Sequence, residues 1–363
     1  HQVTPAILAK LGRNLHLKKN HPLSIIKAKV EDYCNTYAKE NNQTAFQRFD
    51  ALPPVVTTVD CFDKLLIKED HVSRKSSDTY YITDTTLLRT HTSAHQCDLM
   101  AQSDAFLCSG DVYRRDEVDS SHYPVFHQME GVRIFDKKAM TKEDVENDLK
   151  RVLTGLCKHL FGQDIEMRWN SDYFPFTDPS FEVEVKYMGQ WLEVLGSGVI
   201  HDQVLTNAGI SVDDKVGWAF GLGLERLAMI LFAIPDIRLF WTQDERFLSQ
   251  FKEGQITKFE PYSKYPPCYK DVSFWIPHPE AEASDRIEFH VNEVYEIIRE
   301  AAGDLVERVE LFDEFVHPKT GKKSHAYRIF YRHMERNLLN EEVDGIQESV
   351  RKQLVDKLGV ELR

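Results

Sequence analysis

At residues 110–131 the chain reads GDVYRRDEVDSSHYPVFHQMEG. At each end of this stretch, about six residues either alternate between apolar and polar or are mostly apolar, and the residues between the two ends are polar. This pattern predicts an antiparallel hairpin. Arg114 and Arg115 leave the first strand, while Gln128 and Glu130 leave the second strand on one face because strand side chains alternate. A planar guanidinium beside such a polar row suits bidentate binding of a phosphate. An amphipathic hairpin with an exposed ion pair is the alternative interpretation.

Composition places the chain among soluble globular proteins. Its 363 residues suffice for roughly two or three domains, each with its own core, and 42% of them are apolar and 28% charged. A net charge of −13 excludes a global basic field, so nucleic acid can bind only at a local patch. The six cysteines form no CxxC pair, which favours free thiols in a reducing compartment over a zinc ribbon. No apolar run approaches a membrane span, so no membrane partner is predicted.

The first thirty residues carry a distinct charge pattern. They contain six lysines or arginines and no acid. This fits the lower end of an organelle-targeting region, although the Ser-rich and Arg-rich character of a transit peptide is missing. A basic first helix explains the same residues equally well.

Residues 91–96 read HTSAHQ and suggest the start of a helix. Thr92 or Ser93 is a natural N-cap, and Gln96 is placed to complete a capping box from Ser93. Free N–H groups and hydroxyls at a helix start suit a carboxylate or another anion, while simple capping is an equally good explanation. His91 and His95 are spaced like metal ligands, but no third ligand follows at a suitable offset, so no metal site is predicted.

Downstream residues predict a sheet with helices outside it. Periodicity indicates a helix over 144–161 and strands over 165–169, 173–176, 181–187 and 191–196. Long strands in succession, rather than alternation with helices, predict an α+β fold. Residues 217–226 then read GWAFGLGLER, a strand that enters a Gly-rich turn and a helix. These residues lack the third glycine of a dinucleotide-binding fingerprint. Their glycines would still let a flat ligand approach the backbone, and Arg226 would face that ligand. A turn that merely eases strand–helix packing is the alternative.

The last hundred residues follow a charged linker, 242–261, and predict the order β-α-β-β-α-β. Their predicted elements are strand 272–276, helix 285–301, strands 305–315 and 325–332, helix 341–358 and strand 360–362. This order is typical of a ferredoxin-like domain. Arg328, Phe330 and Arg332 share one strand face within a local basic segment that includes Lys322 and Lys323. Such a row predicts binding of single-stranded RNA by stacking and charge, and a solvated edge strand is the alternative.

Taken together, these motifs resemble the single-chain organellar phenylalanyl-tRNA synthetases, a family of class II aminoacyl-tRNA synthetases. The resemblance spans essentially the whole chain and is carried by segments 91–96, 110–131, 173–176, 191–198, 217–231 and 234–241. It implies an antiparallel sheet flanked by helices in a catalytic domain, 1–241, and a ferredoxin-like anticodon-binding domain, 262–363. It also implies ATP-dependent attachment of phenylalanine to tRNA(Phe) through an adenylate, with Mg²⁺, by a monomer. The implied location is the mitochondrial matrix, with the chloroplast stroma as alternative.

The resemblance further implies roles for particular residues. Arg114 is similar to the catalytic arginine on the ATP α-phosphate, Arg226 resembles the one on the γ-phosphate side, and Phe220 would lie by the adenine or the substrate. The amino-acid ammonium and carboxylate groups would be held by Ser93, Gln96, Gln128 and Glu130. Further residues expected to line the site are Ala94, His95, Ser121, His122, Tyr123, Met129 and Glu193. Phe174 and Phe176 resemble the pair that sandwiches the phenyl ring. The family's Arg-x-Glu pattern appears here as Arg114-Arg115-Asp116, which leaves the acid's reach toward adenine open.

Two other functions are consistent with parts of this pattern. An enzyme that makes an adenylate or amide without tRNA would have the same catalytic sheet but no use for residues 262–363. An RNA-binding regulator descended from a synthetase would tolerate loss of Arg114, Glu130 or Arg226, and all three are present. The synthetase interpretation accounts for both ends of the chain.

Overall fold

A computed structural model describes residues 2–261, 265–277 and 289–363. Its α-helices are α1 Pro5–Leu8, α2 Pro22–Glu40, α3 Thr58–Cys61, α4 Gln96–Met100, α5 Lys142–Phe161, α6 Asp202–Asn207, α7 Leu224–Leu231, α8 Glu245–Leu248, α9 Val291–Ala302 and α10 Asn340–Leu358. Its strands are β1 Gln47–Phe49, β2 Val55–Thr57, β3 Thr86–Leu88, β4 Ala105–Tyr113, β5 Val125–Asp136, β6 Glu166–Asp172, β7 Thr177–Tyr187, β8 Gln190–Ile200, β9 Lys215–Gly223, β10 Cys268–Trp275, β11 Val306–Val316, β12 Lys323–Tyr331 and β13 Glu361–Leu362. Short 3-10 helices include Thr92–His95 and Ile237–Trp241. Across these residues, no helix combines the length and the apolar character that crossing a membrane requires.

The larger sheet has seven strands in the order β1-β4-β5-β9-β8-β7-β6. Neighbouring strands pair antiparallel from β4 to β6, and only the edge strand β1 runs parallel to its neighbour β4. The connection between β1 and β4, residues 50–104, is long enough for the crossover that a parallel pair needs. The α+β sheet predicted from the sequence is therefore confirmed, and the parallel edge strand is an addition to the antiparallel sheet that was expected.

The hairpin that organises the sequence pairs β4 with β5 over nine residues, from Ala105 with Arg133 to Tyr113 with Val125. Both flanks were expected to be strands, and they are. The first strand ends at Tyr113, so Arg114 and Arg115 lie in the connecting loop rather than in the strand. Every residue of β4 is buried, and both strands of the hairpin have a neighbouring strand on each side.

Apolar helices cover one face of this sheet. Helices α2, α5 and α7 pack their buried side chains against it, including Val152, Leu153 and Leu156 of α5. Burial of each such side chain stabilises the fold by about 1.5–3 kcal/mol. Helix α5 starts at a capping box formed by Thr141 and Asp144, close to the predicted start. The opposite face is covered by α3, α4 and α6 only near one end of the central strands, and the uncovered part of this face contains the candidate site.

A second sheet has four strands in the order β11-β12-β10-β13, with α9 and α10 packed on one face. This is the predicted ferredoxin-like arrangement, and it is confirmed. Tyr327, Ile329 and Tyr331 are buried under the helices as expected, whereas Arg328 and Phe330 point to the other face. Helix α9 begins at Val291; residues 285–288 of the predicted helix lie outside the described part of the chain.

The two sheets contact each other through the hairpin loop. Val118 of this loop packs in the core of the four-stranded sheet, and its carbonyl oxygen accepts a hydrogen bond from the Val309 amide at 2.8 Å. Arg115 is buried and forms an ion pair with Glu293 of α9 at 2.8 Å. The loop beside the candidate site is thus held by the C-terminal unit.

Candidate active site

A row of cross-strand neighbours forms the floor of the site. Glu130 of β5 pairs with Gly221 of β9, which pairs with Gly196 of β8. Directly paired residues point to the same face of a sheet, and strands lie about 4.8 Å apart. Gly221 therefore leaves open space beside Glu130, and Gly196, about 10 Å from the Glu130 backbone, leaves room for a side chain that packs over it.

A buried polar pocket lies at one end of this floor. The Gln96 amide donates a hydrogen bond to Oε1 of Glu130, and both side chains are almost fully buried. Oε2 of Glu130 and Oε1 of Gln96 have no hydrogen-bond donor among the described residues. Burial raises the pKa of Glu130 to about 7, while the Gln96 amide and the Ser93 hydroxyl act in the opposite direction. Two buried acceptors without donors suit a ligand that brings N–H groups and positive charge.

An aromatic pair lies at the other end of the floor. The rings of Phe174 and Phe176 are nearly parallel, at an angle of 17° and with centroids 5.9 Å apart. Phe174 covers Gly196 so closely that a Cβ there would lie 2.8 Å from its ring. The pair sits on the turn between β6 and β7, not on a strand as predicted, since Pro175 has no N–H for a sheet ladder. An apolar ring can pack against this pair.

Two arginines face the open part of the same surface. Nε of Arg114 donates to the Thr90 carbonyl oxygen at 3.1 Å, and its guanidinium lies 5.2 Å from the centre of the Phe126 ring. Arg226 extends from the first turn of α7 and is exposed. Neither the Nη atoms of Arg114 nor the Arg226 guanidinium has a hydrogen bond or ion pair with residues in the described ranges. Both cations are available to an anionic ligand.

Phe126 is a residue of this surface that the sequence analysis missed. It precedes Gln128 and Glu130 by two and four positions, so all three share one face of β5. Phe126 is half-buried, and the Gln128 side chain accepts a hydrogen bond from the Thr92 amide at 3.3 Å. The alternation that predicted the polar row was sufficient to include Phe126, which offers an aromatic face beside Arg114.

Met129 and Phe220 lie on the opposite face of the sheet from the site. Met129 is fully buried among the helices, as strand alternation requires of the residue between Gln128 and Glu130. Phe220 stacks on Trp218 in the same core and fills the space over Gly131. The structure therefore does not bring these two predicted residues into the site.

Residues 121–123 lie at the contact with the C-terminal unit. The Tyr123 hydroxyl donates to Asp304 at 2.7 Å, and its ring stacks on Trp241. Ser121 and His122 are exposed and bind Asp119; this hydrogen bond raises the pKa of His122. His122 and Tyr123 line a cavity of about 200 Å³ between the loop, α1 and α9. The side chains of Glu117, Asp119 and His122 each have an atom of a type that can bind a metal ion, and these atoms lie within 4.8 Å of one another.

The segment 91–96 forms a 3-10 turn and then α4, without the capping box that was predicted. The Gln96 amide donates to Glu130 of β5, and no side chain caps the start of the turn. Ala94 is buried in the core beneath α4. Nε2 of His95 accepts from Arg89 at 2.9 Å, and His91 approaches the Cys61 thiol at 3.9 Å, so the two imidazoles do not face one ligand.

Acidic side chains line the site beside Arg226. Glu182 pairs with Gly196 and Glu184 pairs with Glu193 across β7 and β8. Partial burial raises the pKa of Glu182, the neighbouring Glu193 and Glu184 raise it further, and Arg226 lowers it. Glu182 and its neighbour Glu193 thus place carboxylate oxygens, which suit Mg²⁺, near Arg226.

The open face of the four-stranded sheet carries arginines stacked on aromatic rings. Arg328 lies 4.5 Å from the Tyr269 ring and 4.9 Å from the Phe312 ring. Phe330 is covered by Arg308 at 4.1 Å. The basic residues of this region are largely ion-paired: Arg328 with Asp271, Arg332 with Glu307 and Lys322 with Glu361, while Lys323 is exposed. The predicted row is thus present as an aromatic surface with partly neutralised charge.

Comparison with known proteins agrees with this architecture. The chain belongs to the class II tRNA synthetases: the model of the "tRNA synthetases class II core domain (F)" matches residues 9–251, and that of the "Ferredoxin-fold anticodon binding domain" matches residues 263–363. The predicted resemblance to single-chain organellar phenylalanyl-tRNA synthetases is confirmed.

Similar proteins come from animals, plants and fungi. The mitochondrial phenylalanine–tRNA ligase of Mus musculus is 49% identical, covering 99% of this chain and 85% of its own. The chloroplastic/mitochondrial phenylalanine–tRNA ligase of Arabidopsis thaliana is 50% identical, covering 99% and 82%. The mitochondrial enzyme of Saccharomyces cerevisiae is 41% identical, covering 99% and 92%.

Proposed function

We propose that this chain attaches phenylalanine to tRNA(Phe) through a phenylalanyl-adenylate. The observation that best supports this is the pair of unsatisfied buried acceptors on Glu130 and Gln96. An α-ammonium group brings three N–H donors and a positive charge to that pocket. The Phe174–Phe176 pair at the other end of the glycine floor suits a phenyl ring. The names of the organellar relatives give the same amino acid.

The chemistry requires no covalent catalyst. The phenylalanine carboxylate attacks the α-phosphorus of ATP in line, pyrophosphate leaves, and the adenylate forms. Arg114 neutralises charge that develops on the α-phosphoryl group, and Arg226 binds toward the γ-phosphate. Phe126 stacks on the adenine ring. The terminal ribose hydroxyl of the tRNA then attacks the adenylate carbonyl, and AMP leaves.

Mg²⁺ is the metal we expect to accompany ATP. Glu182 and Glu193 would hold it, because they are carboxylates that crowd one another beside Arg226. When bound, it offsets negative charge on the phosphates.

The remaining assignments concern partners and location. We assign residues 1–241 to catalysis and 262–363 to anticodon binding; the segment 242–261, which was predicted to be a linker, packs Phe247 and Phe251 into the core of the larger sheet and extends the catalytic unit. We further propose that the protein acts as a monomer in the mitochondrial matrix, with the chloroplast stroma as alternative. The organelles named for the relatives support the location.

The test is ATP–pyrophosphate exchange measured separately with each protein amino acid, followed by charging of tRNA transcripts. We expect exchange with phenylalanine and charging of tRNA(Phe). Exchange without charging would favour an adenylate-forming enzyme that does not use tRNA. RNA binding without exchange would favour a regulator.

The acidity of Glu130 predicts a pH dependence for phenylalanine binding. Only the ionised carboxylate neutralises the ammonium, and a pKa of about 7 means that it protonates as the pH falls through neutrality. The KM for phenylalanine should rise by about tenfold per unit below about pH 7. Exchange kinetics in wild type and Glu130→Gln measure this, with the KM for ATP as internal control. The variant should have a high KM that is flat between about pH 6 and pH 8; a similar slope in the variant would assign the titration to another group.

The aromatic surface of the C-terminal sheet predicts a tRNA phenotype without a catalytic one. Phe330→Ala removes a stacking surface, and base–aromatic stacking contributes roughly 1–3 kcal/mol. We expect the KM for tRNA to rise about tenfold while amino-acid activation is unchanged. Arg328→Gln should have a similar effect and should reduce the salt dependence of tRNA binding. Arg151→Gln on α5 is the control, since that side chain is 65% exposed on another surface. Equal tRNA affinity in wild type and the three variants would argue against tRNA binding by this face of the sheet.

A further inference from the structure

The Glu225–Arg226 pair combines one buried and one exposed side chain at the start of α7. Arg226 faces the open site, whereas Glu225 is 3% exposed and points into the helix-covered core. The mechanism proposed above uses Arg226 and gives Glu225 no task. A buried carboxylate is costly unless it is fully hydrogen-bonded, so its partners indicate its role.

Both carboxylate oxygens of Glu225 bind a single residue of β5. Oε2 accepts the backbone N–H of His127 at 2.7 Å, and Oε1 accepts Nδ1–H of the His127 ring at 2.6 Å. The His127 ring is completely buried. Hydrogen bonds to an ionised acceptor are among the stronger ones in proteins, so this two-point contact fixes the position of the strand relative to the helix.

The contact replaces a sheet hydrogen bond that β9 does not supply. The last pairing between β5 and β9 joins Gln128 to Gly223, after which the chain turns into α7. His127 therefore lies beyond the end of its neighbouring strand. The Glu225 carboxylate takes the place of a strand acceptor there, and it extends the ordered edge of β5 by one residue toward Phe126.

We infer that Glu225 is a positioning residue for ATP: it couples the part of β5 that carries Phe126 to the helix that carries Arg226. The inference rests on the proposed ATP site. Phe126 directly precedes His127 in sequence, and Arg114 lies over the Phe126 ring. One buried carboxylate thus sets the spacing between the adenine and α-phosphate side of the site and the γ-phosphate side. The phenylalanine end depends on Glu130, Gln96 and Phe174, which Glu225 does not contact.

The experiment compares Glu225→Ala and Glu225→Gln with Asp148→Asn in the full chain. Asp148 is the matched control because it is a buried carboxylate of the same core that binds Trp218 and Tyr37 rather than β5 or α7. Active sites are counted by the burst of adenylate formation, so loss of folded protein is separated from altered kinetics. The KM for ATP and the KM for phenylalanine are then measured by pyrophosphate exchange, and the Tm is recorded for each variant.

We expect Glu225→Ala to raise the KM for ATP by about tenfold to a hundredfold per active site, with the KM for phenylalanine changed less than about threefold. Glu225→Gln keeps an acceptor for the backbone N–H and should recover much of this loss. Asp148→Asn should lower Tm without the ATP effect. Unchanged ATP kinetics per active site, or equal changes in both KM values, would reduce Glu225 to a structural role. Absence of exchange in wild type would instead contradict the proposed function.

Discussion

Arg114→Ala should reduce ATP–pyrophosphate exchange by about a hundredfold or more while leaving the fold intact. The Nη atoms of Arg114 have no partner within the described parts of the chain, and they face the same surface as Gln128 and Arg226. A charge-assisted contact to a phosphoryl group that gains charge in the transition state contributes about 3 kcal/mol or more. The fold should tolerate the change because Arg114 makes one hydrogen bond, from Nε to the Thr90 carbonyl, and one ring contact.

Two control variants distinguish this effect from a general loss of arginine. Arg151→Ala removes an exposed guanidinium of α5 and should leave exchange unchanged. Arg115→Ala removes the buried neighbour that binds Glu293, and it should lower Tm and loosen the C-terminal unit. Exchange by Arg114→Ala within about tenfold of wild type would contradict its assignment to the α-phosphate.

Local sequence patterns predicted the parts of the site that depend on strand alternation. The polar row of Gln128 and Glu130 lies on one face of β5 as expected. The same alternation places Met129 on the opposite face, although the resemblance grouped it with its neighbours. The placement of Phe220 against Gly131 has the same cause. For Met129 and Phe220, strand alternation therefore identified the face of the sheet on which the side chain lies, and the family resemblance did not.

The side-chain directions that could not be predicted depend on contacts between residues distant in sequence. Tyr123 points to Asp304, which lies 181 residues away, so its direction follows from how the two sheets meet. Arg115 has the same dependence on Glu293. On the C-terminal sheet, the partners of Arg328 and Arg332 are acids on neighbouring strands, Asp271 and Glu307. Pairings of this kind require strand order and register, which the periodicity of a single segment does not contain.

Tyrosine is the substrate that should challenge the accuracy of this site. The proposed ring-binding surface consists of Phe174 and Phe176, and this aromatic pair presents carbon atoms only. An apolar slot rejects a substrate that merely adds a hydroxyl only weakly, since its discrimination comes from the limited cost of burying that hydroxyl without a partner. We therefore expect kcat/KM for phenylalanine to exceed that for tyrosine by about a hundredfold.

The fate of a wrong product extends this prediction. We also expect this chain not to hydrolyse tyrosyl-tRNA. Exchange kinetics for both amino acids test the first part, and deacylation of preformed tyrosyl-tRNA by the purified protein tests the second. Glu130→Gln is the matched control, because loss of the ammonium contact should weaken both amino acids equally and leave their ratio near a hundred. Rapid enzyme-dependent deacylation, or a preference above roughly ten-thousandfold, would require a polar group that senses the ring hydroxyl.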